Sequence, residues 1–152
     1  MLALKGEIGK MKEIEWTKDL SVGVNVIDEQ HKMLIKHLND LKQSVDQSKG
    51  LEKIGTTLGF LIKYTDFHFS EEEGHMKTND YPGLDSHKVQ HDEFKTNLRN
   101  LEEDFIEEGA TRGLAVSIDT LLVNWLLKHI QKVDVEFGKF LKSKGISLPD
   151  EG

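Results

Sequence analysis

Five of the seven histidines in this 152-residue chain recur with glutamate and aspartate at helical spacing. His68 and Glu72 are four apart, as are His87 and His91, so on a helix each pair points one way. His31 stands where the apolar rhythm would place Leu or Ile, and His129 falls on a buried stripe with Asp134 five residues on. Taken singly, an inward histidine is more often a hydrogen-bonded core residue than a ligand. Glu72 alone would belong to the solvated run Glu71-Glu72-Glu73. Taken together, these imidazoles and carboxylates converge with nothing else polar to satisfy them, and burying such groups unpaired is costly. A bound cation removes that cost. The chain has no cysteine, which excludes disulfides and thiolate chemistry. The remaining nitrogen and oxygen donors suit iron, manganese, zinc or copper rather than an iron–sulfur cluster.

The elements that must position these residues are helices. Apolar spacing near 3.6 predicts four of them. The first spans about Val26–Val45, with Ile27, His31, Leu34, Leu38, Leu41 and Val45 on its stripe and Asn25 as N-cap. The second spans about Leu51–Lys77, with Ile54, Leu58, Leu61, Thr65, His68, Glu72 and His75 inward, and ends at Tyr81-Pro82-Gly83. The third spans about Leu84–Glu107, carrying His87, His91, Phe94, Leu98, Leu101 and Phe105, with Gly109 as its stop and Thr111 capping the next helix. The fourth spans about Leu114–Lys142, carrying Ile118, Leu122, Trp125, Leu126, His129, Val133, Phe137 and Phe140, closed by Gly145. No β alternation competes. Short connections favour an all-α, up-down-up-down four-helix bundle. The expected organisation is an N-terminal arm (1–24) packing through Trp16, Val22 and Val24, a bundle (25–145) and a tail (146–152). With a second Met at Met11, residues 1–10 are read as extraneous or disordered.

Composition narrows the class. No stretch approaches the roughly 20 apolar residues of a membrane span, and the first residues lack the apolar block of a secretory signal. A cytoplasmic protein is the expectation. A net charge of −7 argues against nucleic-acid binding, and with one domain it points to a monomer.

The segments Asp28-Glu29-Gln30-His31-Lys32, His68-Phe69-Ser70-Glu71-Glu72, Tyr81-Pro82-Gly83-Leu84 followed by His87 and His91, and Trp125 to His129-Ile130 and Asp134 resemble the hemerythrin family in its bacterial single-domain form. The likeness runs from about Trp16 to Leu141 and includes all seven ligand positions. It implies one iron held by His87, His91 and His129, and a second held by His31 and His68. Glu72, Asp134 and a solvent-derived oxo or hydroxo would bridge the two Fe2+/Fe3+ ions. The first iron is then saturated, and the second keeps one open position where O2 can bind. Neutral imidazoles donate less charge than the carboxylate-rich sets of other di-iron bundles, which favours reversible binding over turnover. Leu34, Phe69, Phe94, Trp125 and Leu126, one or four residues from ligands, are the expected dry wall of the O2 pocket, and all five suit ordinary core equally. Nδ1–H partners are expected among backbone carbonyls and carboxylates.

Two positions resist this pattern. Five residues separate His129 from Asp134, about 140° apart on a regular helix, so a π-type turn is predicted near 129–134. His75 lies on the inner stripe where an apolar residue is expected. It is read as a bundle-end residue facing solvent in preference to a proton donor near the site, and His37 as a surface or boundary residue. The implied function is O2 storage, delivery or sensing, with an oxygen-using enzyme or a signalling partner as receiver. The alternatives are a di-iron oxidoreductase consuming O2, peroxide or nitric oxide, a ferroxidase, and an iron-storage bundle without gas chemistry.

Overall fold

The computed structural model describes residues 13–150, so the reading of residues 1–10 lies outside it. Among the described residues there is no strand. Four long helices form an up-down-up-down bundle: α1 (Asn25–Asp46), α2 (Leu51–Thr78), α3 (Leu84–Glu108) and α4 (residues 112–143). Each packs on the next in sequence, and the start of α4 returns to α1. The inward stripes fill one core, in which Leu34, Leu38, Leu41, Leu61, Phe69, Met76, Phe94, Ile118, Leu122 and Phe137 are fully buried.

Helix ends follow local chemistry. Gly109 adopts φ +76°, a conformation that costs glycine little, and its N–H closes α3 onto the Phe105 carbonyl. Thr111 caps α4 by accepting a hydrogen bond from the Leu114 N–H at 3.0 Å. At α1 the expectation fails. Val24 occupies the cap position, and Asn25 is already helical, its amide reaching Asp150. The entry is fixed instead by Asp28, which accepts from the Val22 N–H at 2.8 Å and from the Ser21 hydroxyl at 2.5 Å.

The arm lies along the bundle. Ile14 and Asn39 exchange two hydrogen bonds at 2.9 and 2.8 Å. The Lys32 ammonium sits 4.6 Å from the Trp16 ring. Leu20 and Val22 are buried, while Trp16 and Val24 pack partly against the core. A short 3-10 turn at Lys18–Leu20 touches α4. Gly138 is required where the arm crosses, since a Cβ there would collide with the Val22 carbonyl oxygen.

α4 is the irregular helix. It contains two π segments, Ile118–Val123 and His129–Asp134. The second is the irregularity that the His129-to-Asp134 spacing predicts; nothing in the sequence pattern had singled out the first. On α2 the inner stripe advances in steps of four from His68 through Glu72 to Met76. Met76 is therefore buried and His75 only half-buried, which removes His75 from the inner stripe.

Candidate metal centre

All four helices deliver side chains to one level of the bundle. His31 comes from α1, His68 and Glu72 from α2, His87 and His91 from α3, and His129 and Asp134 from α4; all are buried. Residues five apart lie nearly above one another where hydrogen bonds close i→i+5, so the second π segment turns both His129 and Asp134 inward. Their ligand atoms form two overlapping groups, each within 4.8 Å: Glu72, His87, His91, His129 and Asp134, and His31, His68, Glu72 and Asp134.

The carboxylates join the groups. Glu72 turns Oε1 to the Nε2 atoms of His87 (3.0 Å) and His91 (3.1 Å), and Oε2 to that of His68 (3.9 Å). Asp134 turns Oδ1 to His87 (2.9 Å) and His129 (3.2 Å), and Oδ2 to His31 (2.9 Å). Despite these distances, none of the five Nε2 atoms and none of the four carboxylate oxygens has a hydrogen-bond partner of proper direction. Their donors and lone pairs converge on common points rather than on one another. Nine buried polar atoms left in this way are expensive as a protein-only arrangement, and they fit N/O coordination of metal ions. Without thiolates, the set matches a first-row transition metal.

Three of the imidazoles are held from behind. His68 Nδ1 lies 2.7 Å from Gln30 Oε1, His91 Nδ1 2.7 Å from Glu73 Oε2, and His129 Nδ1 3.0 Å from Gln90 Oε1. Each partner atom can only accept, so each Nδ1 carries a proton and Nε2 is the atom left to face a cation. Carboxylate partners were expected, and Glu73 is one; the two glutamine amides were missed. The only sequence signal is adjacency, since Gln30, Glu73 and Gln90 neighbour His31, Glu72 and His91.

Protonation reflects the crowding. Burial pushes His68 down to about 3. Burial would also lower His87, but Asp134 and Glu72 facing it raise it to about 9. Burial and the Asp134 charge push Glu72 up, yet the His87 and His91 rings outweigh both and hold it at about 2. The carboxylates are therefore ionised at neutral pH and ready to bind a cation.

Of the five expected wall residues, Leu34, Phe69, Phe94 and Leu126 are buried, and Trp125 is half-buried. The aromatic ones lie against the three-histidine group. Phe69 stacks on His91 at 3.8 Å and Trp125 on His129 at 4.6 Å, with Phe94 between them, 5.8 Å from Phe69 and 4.7 Å from Trp125. Trp125 donates its indole N–H to Glu93 at 2.8 Å and borders a surface cavity of about 190 Å³ beside His129. His37 packs at the boundary against Phe60 and Tyr64.

Known proteins resemble this chain in sequence and in fold. The family model described as the hemerythrin HHE cation binding domain matches residues 22–141. Bacteriohemerythrin from Stenotrophomonas maltophilia is 29% identical over 133 residues, covering 88% of this chain and 84% of that protein. Myohemerythrin from Theromyzon tessulatum is 32% identical over 123 residues, covering 81% and 89%. A crystal structure of wild-type hemerythrin superposes with a TM-score of 0.75 at 28% identity, covering 84% of this chain and 97% of that one. With the family model spanning the arm's end and all four helices, and with every donor of the centre inside it, this chain belongs to the hemerythrin family.

Proposed function

We propose that the chain binds O2 reversibly at a non-haem di-iron centre. His87, His91 and His129 would hold one iron and His31 and His68 the other, with Glu72 and Asp134 shared. The observation that carries this reading is the division of each carboxylate's two oxygens between a three-histidine and a two-histidine group. The unequal histidine count would leave the second ion, held by His31 and His68, with fewer protein ligands and room for a small gas. A pair of ferrous ions bound there would supply the electrons for reversible O2 binding.

The protein's own residues bias the centre towards binding. Neutral imidazoles outnumber carboxylates, which favours the reduced pair of ions over high-valent chemistry. Gln30, Glu73 and Gln90 fix three rings in the tautomer that offers Nε2. Leu34, Phe69, Phe94 and Leu126 keep water from the layer beneath the centre, and Trp125 covers the outer face of His129. The functional unit is the bundle of residues 25–145. Among the described residues no helix is long and apolar enough to cross a membrane, and a cysteine-free chain suits a reducing cytoplasm. Storage, delivery to an oxygen-using enzyme, or sensing through a partner all use the same chemistry.

The test is direct. Metal analysis should return two irons per chain. The anaerobically reduced protein should gain visible absorption on exposure to O2 and lose it when O2 is removed. Steady O2 consumption or a permanently oxidised product would identify an oxidoreductase instead, and a zinc-only site would end the di-iron reading.

A further inference from the structure

Hydroxyl groups on these helices generally turn back onto their own backbone. Ser44 donates to the Leu41 carbonyl at 2.8 Å, Thr57 to Ile54 at 2.9 Å, Thr56 to Glu52 at 2.9 Å, Thr120 to Val116 at 3.0 Å, and Ser143 to Phe140 at 2.8 Å. Thr65 departs from this habit. It is 0% exposed, and its Oγ1 has no hydrogen-bond partner among the described residues. A helix carbonyl one turn back was available to it, so the orphaned donor calls for an explanation.

Its place in the bundle supplies one. Thr65 lies three residues before His68 and four before Phe69, hence on their inward face and one turn nearer the start of α2. α1 runs antiparallel, with the His31 ring 4.9 Å from that of His68, so the same level on α1 falls at Leu34 and Ile35. On α3 it falls at Phe94, three residues after His91, and on α4 at Leu126, three before His129. These four neighbours are all buried and apolar. Thr65 thus puts a hydroxyl into an otherwise apolar layer, on the helix that carries one histidine of the two-histidine group.

We infer that the Thr65 hydroxyl is the hydrogen-bond donor for the small ligand held beneath the two-histidine group, and that it slows that ligand's release. This rests on the O2-binding function proposed above. An apolar wall excludes water but cannot distinguish neutral O2 from a ligand that has drawn electron density from the centre. A buried donor with no competing partner favours the electron-rich form.

Thr65→Val exchanges the hydroxyl for a methyl group of similar size, and Thr65→Ser retains the hydroxyl. In the metal-free chain, T65V should melt at the same temperature as the parent or higher, because no hydrogen bond within the protein is lost. A lower melting temperature would show that the hydroxyl serves the fold, and would overturn the assignment. In the iron-loaded protein, stopped-flow O2 release should be roughly three- to ten-fold faster in T65V and within about two-fold of the parent in T65S. The shift of the bound ligand's O–O stretching frequency between H2O and D2O should be the same in the parent and T65S and different in T65V. Unchanged release and an unchanged isotope response in T65V, beside a reversibly oxygenated parent, would sink the Thr65 role alone. A parent that takes up no O2 reversibly would sink the O2-binding reading, and this inference with it.

Discussion

Asp28, Gln30 and His31 stand within four positions of one another and serve three different neighbours. Asp28 anchors the arm, Gln30 holds the His68 ring across the α1–α2 interface, and His31 faces Asp134 on α4. Glu73 does for His91 what Gln30 does for His68, with a full charge in place of an amide. Glu73→Ala should therefore weaken metal binding by roughly 10- to 100-fold in a chelator competition, with little change in helix content by circular dichroism. Titration makes a second demand. With His87 raised to about 9, the metal-free centre carries a proton there at neutral pH, and loading must displace it. Metal addition in weak buffer at pH 7.5 should release protons, and His87→Gln should release fewer. Stability of the metal-free chain follows from the same shifts. The His87 contribution is complete below the ordinary 6.5 and is lost as pH rises through about 9. Glu72, held at about 2, contributes above the ordinary 4.5 and loses that contribution as pH falls towards 2. His68, lowered to about 3, is protonated more readily in the unfolded chain, so acid below 6.5 also favours unfolding. Urea midpoints of the metal-free protein should peak near pH 6.5 and fall on both sides; a midpoint still rising at pH 9 would contradict the His87 shift.

The supporting hydrogen bonds run between consecutive helices: Gln30 on α1 to His68 on α2, Glu73 on α2 to His91 on α3, and Gln90 on α3 to His129 on α4. Each helix orients a ligand of the next, so the aim of the rings depends on helix register and not only on the ligands' own rotamers. This is also where the sequence stopped being readable. Ligand candidates and helix spans followed from period and from Gly and Pro stops, because those signals are local. The pairings of Gln30, Glu73 and Gln90 need the offset between two helices, which no single stripe encodes. The π turn at His129–Asp134 was legible because two polar residues five apart both had to face inward. The one at Ile118–Val123 buries only the apolar Ile118, Leu122 and Val123, so no contradiction gave it away. His75 and Met76 differ by one position, and steps of four along α2 decide between them. The arm adds its own constraint at Gly138. Gly138→Ala should lower stability by about 1–3 kcal/mol, seen as a lower thermal midpoint, because its Cβ meets the Val22 backbone rather than a flexible side chain.

For the molecule as a whole, the centre joins all four helices at one level, and each helix loses something when it is empty. Removing metal leaves nine unsatisfied buried atoms in the middle of the core, and binding confined to the folded state stabilises by mass action. Chelation should lower the thermal midpoint, and helix content and tryptophan fluorescence should shift together, since Trp125 stacks on His129. Unfolding of α4 alone, ahead of the other helices, would argue that the centre does not tie the bundle. The seven donors of the centre are all buried, which shields them from the charges at the surface. Ionic strength should accordingly have little effect on metal retention.

The π turn at residues 129–134 acts like a one-residue insertion in the helix's screw. Everything beyond it inherits that phase, including buried Phe137, Leu141 and the Gly138 notch under the arm. Winding these same residues as a regular helix would rotate the rest of α4 by about 100°. Asp134 would leave the centre, and in the same stroke Phe137 would leave the core and Gly138 its crossing. Deleting one residue between His129 and Asp134 would instead bring them to the spacing of four seen in His68 and Glu72 and keep that phase on a regular helix, whereas adding one would lose it. In this helix, length is itself a functional residue.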